Sequence, residues 1–186
     1  MRKLIFLLFL AASSSSAAEV KEHLSFGHYD AKAAPGRTLA EVLNDSSPYR
    51  PGGKVFHSAT SWNVDWKFRS STGRDGRCKI VQVYTQLNGQ IELPKLIGGD
   101  AGVEARFETY LAALRVHEMG HYAIGKEAAL AIDSRLRSMP PMSDCQQLES
   151  AARDLGARIL GEYEAKGNKY DADTGHGKTQ GAWLGD

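Results

Sequence analysis

The sequence predicts an α+β fold, with a small antiparallel sheet packed on a long helix and a second helix lying antiparallel to the first. Three observations predict it. Residues 61–69 (SWNVDWKFR) alternate apolar and polar side chains with a period of two. Residues 103–137 carry apolar side chains at three- and four-residue steps. The strand patterns precede the helical ones instead of alternating with them, which is the order of an α+β domain.

Length and composition narrow the reading further. A chain of 186 residues, 42% hydrophobic and 24% charged, suits one domain with a core of its own. That content excludes a disordered chain, and two cysteines exclude a densely cross-linked scaffold. Lys and Arg total 23 against 22 Asp and Glu, so bulk charge argues against a nucleic-acid partner.

The chain opens on a targeting pattern. Met1-Arg2-Lys3 is basic, residues 4–12 (LIFLLFLAA) are apolar, and residues 13–18 are small. That is the order of a secretory signal peptide, with cleavage expected after Ala18. The apolar run is far short of the roughly 20 residues that span a bilayer. The expected product is residues 19–186, a single domain exported to the periplasm or the medium and free of the membrane. Both Cys78 and Cys145 lie in it, and an oxidising compartment favours their pairing as a disulfide. Closing so long a loop contributes about 3–4 kcal/mol in the chain-entropy model.

The elements follow in order. Residues 22–29 read as a first strand, residues 38–44 (TLAEVLN) as a short helix, and residues 48–53 (PYRPGG) as a breaker cluster. In residues 61–69, Trp62, Val64, Trp66 and Phe68 make the buried face. A Gly-containing loop, residues 70–77, joins this strand to the β-branched residues 78–87, which completes a hairpin. Residues 90–93 form a further short extended piece that Pro94 ends. The long helix stops at Met139-Pro140-Pro141-Met142. Ser143 or Asp144 then caps a second helix reaching about Lys166. Gly167 and Asn168 end it, and residues 170–186 are expected to be irregular.

The long helix holds His117-Glu118-Met119-Gly120-His121, the pattern H-E-x-x-H. Residues four apart share one helical face, so both imidazoles can hold one Zn²⁺. Glu118 flanks the metal and can act as general base in peptide hydrolysis. The neighbours Val116, Met119, Gly120 and Tyr122 are uncharged, as a buried active-site helix requires. A catalytic zinc needs a third protein ligand. The extended HExxHxxGxxH pattern fails, because Ile124 and Glu127 occupy its glycine and histidine positions. If the second helix folds straight back, position 162 comes level with position 119, which makes Glu162 a candidate. His176, between two glycines, is another, and Asp171 and Asp173 are further ones.

The sequence resembles the bacterial family known as domain of unknown function 922, described as secreted zinc-dependent proteases. The resemblance rests on residues 60–68 (TSWNVDWKF), Cys78, Leu93-Pro94, residues 117–121, Pro140-Pro141, Cys145 and residues 170–181 (YDADTGHGKTQG). It spans nearly the whole exported part. It implies Zn²⁺ at His117 and His121, Glu118 as base, partnership of Cys78 with Cys145, and a functional role for residues 170–181. That role favours His176 as the third ligand. The expected fold is then zincin-like, and the expected activity is peptide hydrolysis on a peptide or protein substrate. Two other readings use the same residues: a zinc amidase acting on cell-wall peptides, and a non-catalytic exported module with structural zinc.

Overall fold

The alternation in residues 61–69 is realised in a strand whose apolar face supports everything else. The computed structural model describes residues 20–185; the signal-peptide expectation for residues 1–18 lies outside them. Among the described residues the strands form one sheet of order β1-β3-β2, built from β1 (Val20–Lys32), β2 (Ala59–Thr72) and β3 (Cys78–Ile97). The helices are α1 (Leu39–Ser46), α2 (Ala101–Arg137) and α3 (Cys145–Thr174). The α+β class is as expected, and no described helix is long and apolar enough to cross a membrane.

The sheet is mixed, which corrects the expected antiparallel one. β2 and β3 pair antiparallel as the hairpin, but β1 runs parallel to β3, from Val20 opposite Thr85 to Lys32 opposite Ile97. Side-chain alternation reports which face is buried and is silent on strand direction. β3 also continues through the expected breaks. Gly89 leaves room for the Tyr122 ring of α2, which a Cβ would meet at 2.6 Å. Pro94 lies beyond Glu92, where pairing with β2 ends, so β3 has only β1 beside it and tolerates a missing N–H.

Both long helices pack on the same sheet face through close contacts at glycine. A Cβ at Gly125 of α2 would meet the Trp62 ring at 2.6 Å, and one at Gly156 of α3 would collide with Trp66. Around these contacts Val83, Leu87, Ile91, Leu114, Ile132 and Leu136 are buried. Asp100 caps α2, accepting from Gly102 and Val103 N–H at 2.8 and 2.9 Å. Asp144, one of the two expected caps, starts α3 by accepting from Gln147 N–H at 2.8 Å.

Two features tie α2 and α3 to β3. Cys78 and Cys145 form a disulfide across a sequence separation of 67, and Cys78 pairs its backbone with Met142 at 2.9 and 2.8 Å. Near the end of α2, fully buried Asp133 accepts from Arg137 Nε at 2.6 Å and from the Thr85 hydroxyl at 2.9 Å. Arg137 also donates to the Val83 carbonyl at 3.1 Å.

α3 does not stop at Gly167. It runs to Thr174, where Gly175 takes a left-handed cap. A helical glycine costs about 1 kcal/mol, and the contacts that Tyr170, Asp171 and Thr174 make with α2 offset it. This extension, unforeseen from propensity, completes the site.

Candidate metal centre

Helix periodicity puts His117 and His121 on the α2 face that meets α3. Between them stands Gly120, where any Cβ would collide with the Tyr170 hydroxyl. Tyr170 therefore lies directly on the helix, stacked on the His117 ring and edge-on to His121, each at 5.0 Å between centroids. One position on, Asp171 reaches both histidines. Its Oδ1 lies 3.1 Å from His117 Nε2 and 2.9 Å from His121 Nε2, and the two nitrogens are 3.3 Å apart. Among the described residues these three form the one cluster of potential metal ligands.

The chain then turns sharply. Gly175, His176 and Gly177 all have positive φ, at 57°, 53° and 84°. His176 is a non-glycine residue in a conformation that L side chains rarely adopt. The turn brings residues 178–180 back over His117, whose Nδ1 lies 2.9 Å from Gln180 Oε1 and 3.4 Å from Thr174 Oγ1.

Glu118 points toward the start of β2. Its Oε1 accepts from the Ser58 hydroxyl and its Oε2 from the Thr60 hydroxyl, both at 2.6 Å, and the side chain is buried. The triad and Glu118 share a cleft of about 850 Å³, lined also by Tyr49, Phe56, Leu114 and residues 182–185. His57 lies in the wall, its Nδ1 2.7 Å from the Tyr110 hydroxyl and its Nε2 2.9 Å from Asn44 Oδ1. Burial pulls its pKa down to about 4, so the ring is neutral. Burial likewise pushes the Tyr29 hydroxyl up to about 12 and raises Tyr110.

The profile of a family described as a bacterial protein of unknown function (DUF922) matches residues 26–177. The chain belongs to that family. No curated protein and no solved structure matches it. The DUF922 region holds His117, Glu118, His121 and Asp171, and it ends three residues before Gln180.

Within this DUF922 chain the structure brings together three of the residues that the sequence singled out at the H-E-x-x-H helix, and adds Asp171 from α3. His176 stands at the rim. It is half-exposed, with Nδ1 3.4 Å from Asp171 Oδ1 and its ring edge-on to Phe56 at 4.8 Å. It lies outside the three-atom cluster. Asp173 is exposed and paired with Lys169 at 2.7 Å. Glu162 is exposed and remote; Gly167 is the residue beside His121. The count that set position 162 level assumed helices starting side by side. Instead, the disulfide and the Met142 pair draw the start of α3 toward β3.

Sequence reasoning missed Ser58, Thr60, Thr174 and Gln180. Single hydroxyls and amides leave no periodic trace. Thr60, Thr174 and Gln180 did lie inside the stretches that carried the family resemblance, which was the available signal.

Proposed function

We propose that this chain is an exported zinc-dependent peptidase, with His117, His121 and Asp171 holding the metal and Glu118 as general base. The observation that carries the reading is the convergence of three ligand atoms, 2.9 to 3.3 Å apart, beside Glu118 and open to a cleft. Protein ligands around a tetrahedral zinc at about 2.0–2.1 Å stand about 3.3 Å from one another. Two imidazoles and a carboxylate make a donor set found in catalytic zinc sites, which keep a fourth position for water. A structural zinc is closed by four protein ligands, and three converge here among the described residues.

Zinc held by these groups would lower the pKa of a water in the open position and polarise the scissile carbonyl. Glu118 takes the proton from the attacking water and delivers it to the leaving amine. Ser58 and Thr60 fix the carboxylate from behind, one hydroxyl to each oxygen, so its remaining lone pairs are the ones that meet the proton. The substrate is a peptide or protein segment laid in the cleft. Export is supported by the basic-apolar-small order of residues 1–18 and by a disulfide that an oxidising compartment preserves.

The deciding experiment is zinc content and hydrolysis of a labelled protein substrate, in the parent and in Glu118→Gln. Glu118→Gln should keep its zinc and lose about 10²–10⁴-fold in rate. Full activity in that variant would sink the base assignment. A parent without zinc would sink the whole reading.

A further inference from the structure

The outer nitrogen of His117 is held by a hydrogen-bond relay whose proton directions can be read one by one. Nδ1 faces two oxygens, Gln180 Oε1 at 2.9 Å and Thr174 Oγ1 at 3.4 Å. Thr174 has one hydroxyl proton and donates it to the Tyr170 carbonyl at 2.8 Å, so it turns a lone pair toward Nδ1. The orientation of Gln180 follows from its other end. Its Nε2 donates to the Tyr170 hydroxyl at 2.9 Å, and that hydroxyl donates to the His117 carbonyl at 3.2 Å. Reversing the amide would take the Tyr170 proton away from the His117 carbonyl and set the Thr174 lone pair against a bare Nδ1. Nδ1 therefore carries the ring proton, and Nε2 offers its lone pair toward His121 and Asp171.

We propose that Gln180 is a positioning residue that locks His117 in the Nδ1-protonated tautomer and aims Nε2 at the metal. The proposal rests on the zinc reading above. It places the lock in residues 178–181, beyond the region the family profile covers. Tyr170 acts in the same relay, touching the ligand ring by stacking and the amide by its hydroxyl. Orienting partners of ligand histidines typically contribute 10–100-fold to metal affinity.

The test compares Gln180→Met, which keeps the length and removes the acceptor, with Gln180→Glu, which keeps an acceptor. Zinc affinity is read by chelator competition, and the His117 tautomer by nitrogen-15 shifts of metal-free protein. Gln180→Met should bind zinc about 10–100-fold more weakly, with a metal-free Tm close to the parent's. Gln180→Glu should restore binding to within a few-fold. Tyr170→Phe, which keeps the ring stack and removes the orienting hydroxyl, should weaken zinc several-fold and serves if Gln180→Met does not fold. Parent-like binding in Gln180→Met or Tyr170→Phe overturns the proposal, as does a glutamate variant as weak as the methionine one. A parent that binds no zinc defeats the peptidase reading by itself. The nitrogen-15 spectrum then decides the lock alone: an Nδ1-protonated His117 upholds it and an Nε2-protonated one overturns it.

Discussion

Helix α2 carries two buried polar clusters, built to opposite rules. Near its end, Asp133 meets the Arg137 guanidinium and the Thr85 hydroxyl, so a buried negative charge is surrounded by donors. Near its middle, His117 and His121 turn nitrogens toward the Asp171 carboxylate, whose Oδ1 lies within 3.1 Å of both. With the His117 proton on Nδ1, its Nε2 and Asp171 Oδ1 face each other as acceptors at 3.1 Å. The first cluster is electrically complete within the chain. The second would be completed by the proposed zinc, and of the two clusters it is the one that opens on the cleft. Burying polar groups on one helix can thus serve cohesion or chemistry, and the sign of the missing charge tells which.

The largest effect should come from removing a member of the incomplete cluster. Asp171→Ala should weaken zinc binding by more than the roughly 100-fold ceiling of an outer partner and abolish hydrolysis, whereas His176→Ala should bind zinc much as the parent does. Elemental analysis of the purified variants checks both. Zinc lost from His176→Ala and kept by Asp171→Ala would restore the sequence-based ligand set and break the contrast drawn above.

A smaller effect, of a different kind, should follow at the complete cluster. Asp133→Ala removes the buried acceptor shared by the Arg137 guanidinium and the Thr85 hydroxyl and should cost about 3 kcal/mol, lowering Tm by about 6–12 °C. Zinc stoichiometry should not change. Loss of zinc in this variant would mean that the two clusters act as one.

The smallest effect concerns pH. Half-buried His57 has its pKa pulled down to about 4, below the ordinary value of 6.5, while in the unfolded chain it protonates near that ordinary value. Its contribution to stability is therefore complete above about pH 6.5 and is lost as pH falls toward 4. In metal-free protein the Tm of the parent should fall more steeply across that window than the Tm of His57→Gln. Parallel curves would show that another group carries the acid sensitivity.

These contrasts also show what the sequence could and could not display. β2 and α2 were legible because each repeats its apolar residues with a period that belongs to one kind of element, and the first half of β3 because it is rich in β-branched residues. His117, Glu118 and His121 were legible because helix spacing and metal chemistry demand the same interval. The direction of β1 was hidden, since a parallel and an antiparallel neighbour bury the same alternation. The end of α3 was hidden because Gly167 and Asn168 resemble a stop, and only contact with His117 and His121 carries the helix past them. Asp171 was visible as a candidate, but its place over the two histidines depends on how the disulfide offsets α3. Ser58, Thr60 and Gln180 act through distances that no local pattern encodes.

The separation of the site's parts along the chain orders its biogenesis. During synthesis the two imidazoles emerge with α2, but Asp171 follows His121 by 50 residues and Gln180 follows His117 by 63. A chain extending only to the end of α2 would hold two of the three proposed ligands and would lack the Gln180 contact to His117. Binding of the proposed zinc by all three groups would wait until α3 has docked, and the Gln180 contact until residues 175–180 have folded back. On the zinc reading proposed above, the three ligands and the residue that orients His117 would thus come together only when nearly all of the described fold exists.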